Sequence, residues 1–403
     1  MLADMASVAL WIMAIPMFSL TALLLVQVVL ARGARDVRQP AMPADAGPRP
    51  RVAVLVPAHD EALGIGAALA TMRAQLAPGD RLLVVADNCS DETAAAARAA
   101  GAEVVERHDA ARRGKGYALD FGIRHLETSP PEVVLVVDAD CELHPGSLDL
   151  LARQCIAHAC PVQALDLMHA PPGAGLKTRI AAFAWAVKNH VRPLGFHRLG
   201  LPCQLMGTGM AFPWPLIRNA PLATGHIVED MRLGLDLAAA GAAPLFCPEA
   251  QVSSLFPSDE AGTVEQRARW ERGHLGVITH EAPRALWRAL RFGRPRLMAM
   301  VFDLCIPPLT LLVLLLVAQA GVDLAMLALP GVARGPLVLA LLSLAMLTLA
   351  VGLAWNSFGR DIVSLGELLG APRYVLAKLP MYARFFGRGK AAWVRAKRDR
   401  PDG

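Results

Sequence analysis

Hydrophobic positions are distributed along this chain in two different ways. From residue 6 to residue 31 no charged side chain appears, and Arg32, Arg35 and Arg38 follow at once. This run exceeds the roughly 20 apolar residues that a helix needs to cross a bilayer. A cleaved secretory leader has its basic residues before a shorter apolar core, so the order here predicts a retained anchor. Two further apolar runs, 297–320 and 336–355, lie toward the other end, the first interrupted by Asp303, Pro307 and Pro308. Residues 52–137 follow another pattern. Short Val/Leu runs at 52–56, 82–86, 103–105 and 133–137 predict strands, and helical periodicity at 62–75, 91–100 and 116–126 predicts helices between them. Strands without polar alternation imply a mostly parallel sheet covered by helices on both faces.

The pattern divides the chain into a membrane anchor at 1–34, a Pro/Ala/Gly-rich linker at 35–50 and an α/β domain at 51–275. A basic amphipathic helix at 276–296, two transmembrane helices within 297–357 and a basic amphipathic tail at 358–403 complete it. Stretches 283–296 and 373–395 suit helices lying on anionic lipid, or ordinary packing against the α/β domain. The connection between the last two apolar runs carries only Asp323 and Arg334, whereas the tail carries ten Lys and Arg from Arg360 to Arg400. The excess of positive charge beside the membrane then sets the N-terminus out, the α/β domain and tail in the cytoplasm, and the short loop out. A bacterial inner membrane is the expected location.

Composition fits this division. Of 403 residues 54% are hydrophobic, and the net charge of +5 is modest. Its basic residues gather beside apolar runs and no recognised nucleic-acid-binding module appears, which points to membrane lipids rather than nucleic acid as partner. The seven cysteines lack CxxC spacing, so they suggest neither a disulfide framework nor a zinc site.

Ligands of parallel sheets bind beyond the carboxyl ends of the strands. Here those ends are acidic: Pro57-Ala58-His59-Asp60-Glu61, Asp87-Asn88-Cys89-Ser90-Asp91 and Asp138-Ala139-Asp140. Converging carboxylates repel unless a cation lies among them, and an Asp-x-Asp turn offers hard oxygen ligands to Mg2+ or Mn2+. A dinucleotide fingerprint is excluded, because Gly64 and Gly66 lie within the helical pattern and Leu69 stands at the third glycine position. Glu229 and Asp230 suit the first turn of a helix as well as they suit chemistry.

Seven motifs in order, VAVLVPAHDE (52–61), VVADNCSDET (84–93), RRGKGYAL (112–119), VVDADC (136–141), GTGMAF (207–212), IVEDMRLG (227–234) and QRARW (266–270), resemble the membrane-bound branch of glycosyltransferase family 2. That branch includes cellulose and hyaluronan synthases and exopolysaccharide transferases. The resemblance implies a GT-A type sheet with a nucleotide-sugar donor. It implies donor contacts from Pro57, Ala58, Glu61, Asp87, Lys115, Asp138, Gln266 and Arg269, and metal binding by Asp138 and Asp140. On the acceptor side it implies Gly207, Thr208, Gly209 and Trp270, with Asp230 as catalytic base. The sequence departs from the family at Ala86-Asp87, where two acids are usual, and at Val228, where Thr is usual.

The implied activity is inverting hexosyl transfer from a nucleotide sugar, a UDP-sugar first among them, to a lipid-linked or glycan acceptor, with polysaccharide-assembly partners. A processive synthase that secretes its polymer is the alternative, although three membrane segments offer little material for a channel. A non-catalytic scaffold or nucleotide sensor is the other. The orientation is testable directly: a reporter fused after Gly403 is expected to be cytoplasmic and one inserted at Gly331 extracytoplasmic, and the reverse pattern would refute it.

Overall fold

The computed structural model describes residues 1–33, 47–225, 228–257, 260–377, 379 and 382, with backbone alone at 2, 260–267, 374 and 377. Residues 35–46 of the expected linker, and most of the expected tail beyond 377, lie outside the described residues. The chain forms two compact units. One is built on a sheet, and the other is helical.

The sheet contains eight strands: β1 (Val52–Ala58), β2 (Arg81–Asp87), β3 (Glu103–Arg107), β4 (Val133–Val136), β5 (Glu142–Leu143), β6 (Val162–His169), β7 (Met210–Pro213) and β8 (Leu245–Leu255). Their order is β3-β2-β1-β4-β7-β6-β8-β5. The first four are parallel, as the Val/Leu runs predict. β7 then runs antiparallel to both β4 and β6, so the sheet is mixed beyond β4. Alternate residues of each buried strand face opposite layers. Val52, Val54 and Val56 pack with Ile65, Leu69 and Met72 of helix Ile65–Arg73 and with Leu148 and Leu151 of helix Ser147–His158. Ala53 and Leu55 face Leu119, Ile123 and Leu126 of helix Lys115–Leu126 and Leu233 of helix Glu229–Ala239. β1 lies between β2 and β4, and this reversal of strand order opens a crevice at the carboxyl edge.

In the helical unit, three helices are long and apolar enough to cross a membrane: Ala3–Arg32, Leu309–Met326 and Gly335–Gly359. The expected run 297–320 is corrected to two helices, Pro295–Leu304 and Leu309–Met326. Pro307 and Pro308 cause the break, since a proline lacks the N–H that would continue the helix and pushes its predecessor out of helical geometry. Residues 175–199, inside the range expected for the α/β domain, belong to this helical unit.

A buried polar cluster ties the unit together. Arg192 Nη2 donates to Asp303 Oδ1 at 2.8 Å, and Gln27 Nε2 donates to the same oxygen at 2.8 Å. Close approach of the backbones makes this possible: a Cβ on Gly195 would fall 2.2 Å from the Gln27 carbonyl oxygen, so only glycine fits there. Both Arg192 and Asp303 are buried, and removal of one partner strands the other charge. Asp303→Leu is expected to lose about 3–5 kcal/mol of stability. Thermal unfolding in detergent checks this, with Arg192→Met/Asp303→Leu recovering most of the loss; an unchanged midpoint for the single variant would refute it.

Candidate active site

The loops that leave β1 and β2 interlock. His59 Nδ1 lies 2.7 Å from the Asp87 carbonyl oxygen, and the Ser90 amide donates to Asp60 Oδ1 at 2.6 Å. The Glu61 amide donates to Thr93 Oγ1 at 2.6 Å. Asp60 and Asn88 both take left-handed backbone, φ +54° and +52°, which folds each loop back at the strand end. Pro57 and Ala58 close β1 directly beneath.

Asp87 is buried, and its Oδ1 accepts from Arg107 Nη1 at 2.6 Å. Arg107 was not among the residues expected from sequence. The expected third strand stopped at 105, whereas β3 continues to Arg107, which stands in register with Asp87 on the adjacent parallel strand. A basic residue two positions beyond a Val-Val run at this edge was the available signal. Its guanidinium also lies over the Tyr117 ring, 5.5 Å from the centroid.

Lys115 is the meeting point of the site. It begins helix Lys115–Leu126, and its ammonium forms an ion pair with Asp138 beyond β4 while donating to the Gly207 carbonyl oxygen at 2.9 Å. A Cβ on Gly207 would lie 3.5 Å from Asp230 Oδ2 and 3.7 Å from Lys115 Nζ, which places Asp230 beside the same lysine. Burial disfavours the charged ammonium, but the Asp138, Glu229 and Asp230 carboxylates outweigh it and hold Lys115 above the ordinary lysine range. Glu229 moves upward from the ordinary carboxylate range: burial and the neighbouring Asp230 raise it, and Lys115 opposes them.

The turn before β7 braces this cluster. Thr208 is buried, its Oγ1 accepts from the Asp138 amide at 3.1 Å, and its carbonyl accepts from Gln163 Nε2 at 2.9 Å. Gly209 has φ +64°, and a Cβ there would come within 2.9 Å of both Ala164 Cβ and Val252 Cγ2. Gly207-Thr208-Gly209 therefore permits a tight backbone crossing under the acidic edge.

Asp138, Asp140 and Cys141 each place one ligand atom within 4.8 Å of the others. Burial, with the nearby carboxylates, keeps the Cys141 thiol well above its usual range and therefore protonated. The two carboxylates are the donors that suit a hard divalent ion, and their spacing fits one. Arg269 and Trp270 stand half-buried on a different element, helix Glu260–His280, and the side chain of Gln266 on that helix lies outside the described residues.

The sheet order with an acidic carboxyl edge defines a GT-A type α/β domain. The sequence matches the family described as glycosyltransferase like family 2 over residues 48–273, more than half of the chain, and the protein belongs to that family. Its fold is similar to that of the mannosyltransferase PcManGT from Pyrobaculum calidifontis, solved with GDP-Man and Mn2+: 18% identity, 93% of this chain and 95% of that one, TM-score 0.50. Glucosyl-3-phosphoglycerate synthase from Mycobacterium tuberculosis, solved with Mn2+, UDP and glucosyl-3-phosphoglycerate, is 24% identical over 59% of this chain and 85% of that one, with TM-score 0.39. A search of curated proteins finds no match.

Because Lys115 and a divalent ion would share Asp138, Lys115→Met is expected to bind Mn2+ at least about tenfold more tightly than the parent, since one nearby positive charge is removed. Titration of Mn2+ alone, followed by the electron spin resonance of the free ion, checks this. Unchanged affinity would show that the ammonium and the ion do not compete.

Proposed function

We propose that this protein is an inverting glycosyltransferase of the cellulose and hyaluronan synthase branch. It moves one sugar, or a few, from a nucleotide-diphosphate sugar to a lipid-linked or glycan acceptor in exopolysaccharide or envelope assembly. The catalytic domain faces the cytoplasm of an inner-membrane protein. One observation carries the reading: Asp138, on the donor side, and Asp230, on the acceptor side, converge on Lys115 beside Gly207, although they come from distant parts of the chain.

Transfer breaks the bond between the anomeric carbon and the diphosphate oxygen and forms a bond from that carbon to an acceptor hydroxyl oxygen. Negative charge develops on the leaving oxygen, and positive charge on the sugar ring. Asp138 and Asp140 would hold a divalent ion, Mg2+ or Mn2+, which would supply positive charge against the diphosphate; PcManGT was solved in complex with GDP-Man and Mn2+. The site's own groups do the rest. Arg269 and Gln266 meet the diphosphate, Pro57, Ala58, Glu61 and Asp87 form the nucleoside end, and Arg107 fixes the Asp87 carboxylate in place. Thr208, between its glycines, and Trp270 present the acceptor. Asp230 takes the hydroxyl proton as the new bond forms, and attack from the side opposite the diphosphate inverts the anomeric centre. Lys115 compensates the carboxylates before donor arrives, so the crevice is set without large reorganisation.

Asp230→Asn separates this reading from a purely structural acid. The amide keeps the shape and the helix start, so stability should change by at most about 1 kcal/mol. It accepts no proton, so single-turnover transfer should fall by about 10²-fold or more while donor binding is retained. The assay uses membrane-extracted protein, divalent metal and a panel of nucleotide sugars, with product linkage read directly. Near-normal turnover would remove Asp230 from the reaction, and loss of donor binding would make it a support of the site's architecture.

A further inference from the structure

Helix Glu229–Ala239 carries a second polar assembly on a side that the proposed reaction does not use. At about 100° per residue, Arg232 and Asp236 lie about 200° and 240° around the helix from Asp230. Together with Glu281, Arg284 and Arg288 they line a cleft of about 280 Å³. Arg288 Nη1 lies 3.2 Å from Asp236 Oδ1, and Arg284 Nη1 lies 3.6 Å from Glu281 Oε1. Arg232 Nε approaches Asp236 Oδ2 at 3.9 Å. Arg284 and Arg288 each turn one Nη1 toward a carboxylate, and a guanidinium carries five N–H donors in all. The side chains of Arg284 and Arg288 are 71% and 49% exposed, open to a ligand from outside.

Apolar side chains are also exposed around helix Ala282–Arg291. Ala282, Ala285 and Ala289 turn inward, while Trp287, Leu290 and Phe292 are 60%, 66% and 61% exposed. Arg291 lies over the Trp287 and Phe292 rings at 5.7 and 5.8 Å. Residues 282–296 contain five arginines and no acid, and the spanning helix Leu309–Met326 follows soon after. Arginines beside exposed aromatic and aliphatic side chains match a molecule that is anionic at one end and apolar at the other. A free phosphate or an acidic peptide would leave Trp287, Leu290 and Phe292 in water, and a zwitterionic lipid brings its own cation to the phosphate.

We propose that the cleft binds the phosphate headgroup of an anionic phospholipid of the surrounding bilayer. Arg284 and Arg288 take the phosphate oxygens, Trp287 beside them meets the first carbons of the acyl chains, and Leu290 and Phe292 lie against the same bilayer. The proposal rests on membrane insertion and not on glycosyl transfer.

The test places the full chain in nanodiscs of phosphatidylcholine with graded amounts of brominated phosphatidylglycerol. Quenching assigned to Trp287 is obtained by difference from Trp287→Phe. Half-maximal quenching is expected at a phosphatidylglycerol fraction at least about fivefold lower for the parent than for Arg284→Gln/Arg288→Gln. Brominated phosphatidylcholine should quench both proteins alike, which also shows that the variant's helix still meets the bilayer. Arg284→Lys/Arg288→Lys, which keeps the charge, should stay closer to the parent. Coincident phosphatidylglycerol curves for parent and glutamine variant overturn the proposal. So does loss of quenching by both lipids in that variant, because the arginines would then hold the helix rather than a headgroup. Relief of quenching by millimolar inorganic phosphate overturns the bilayer lipid as occupant. Resistance of every variant to carbonate extraction verifies insertion separately.

Discussion

Four carboxylates, Asp138, Asp140, Glu229 and Asp230, are brought to one region of the sheet edge, and the ammonium of Lys115 is what makes their proximity tolerable. Two unit charges about 4 Å apart interact by about 4 kcal/mol at the effective dielectric of a protein surface. Repulsion on that scale would open the crevice if nothing opposed it. Lys115 opposes it from the start of a helix whose approach is itself constrained: a Cβ on the next residue, Gly116, would fall 2.4 Å from the Leu222 carbonyl oxygen. The position of the cation, and with it the spacing of the acids, is therefore set by backbone packing.

The sheet supplies the other half of this constraint. β4 brings Asp138 to the carboxyl edge, and the turn that leads into antiparallel β7 places Gly207 and Thr208 beneath it. Gln163 of β6 locks that turn by donating to the Thr208 carbonyl and accepting from the Met206 amide at 2.9 Å. The change from parallel to antiparallel pairing beyond β4 lets residues far apart in sequence meet at one edge. A buried polar side chain with both ends satisfied favours one register over its neighbours.

The helical unit obeys a different balance. Its long helices expose Val8, Ile12, Val26, Val317, Leu341 and Leu349, which hydrocarbon would cover and water would not favour. Inside it, Arg192, Asp303 and Gln27 form a cluster in which loss of one charged partner alone strands the other. Asp303 looked in the sequence like a flaw in a membrane span. It is instead a residue of the preceding helix, and the prolines after it keep it out of the span.

Much of this architecture is legible in the amino-acid sequence. The Val/Leu runs located β1 to β4 because strands buried on both faces need no polar alternation, and the motif order brought Asp138, Lys115, Gly207 and Asp230 into one family pattern. Uninterrupted apolar length marked the first and last of the helices long and apolar enough to cross a membrane, where backbone polar groups must be satisfied within a helix. Tertiary structure decided what depends on distant partners: the pairing of Asp87 with Arg107, the grouping of 175–199 with the helical unit, and the mixed half of the sheet. None of these follows from local periodicity. Each arises from contacts between residues whose separation in sequence says nothing of their separation in space, and a carboxylate's role is set by the cation that folding brings to it.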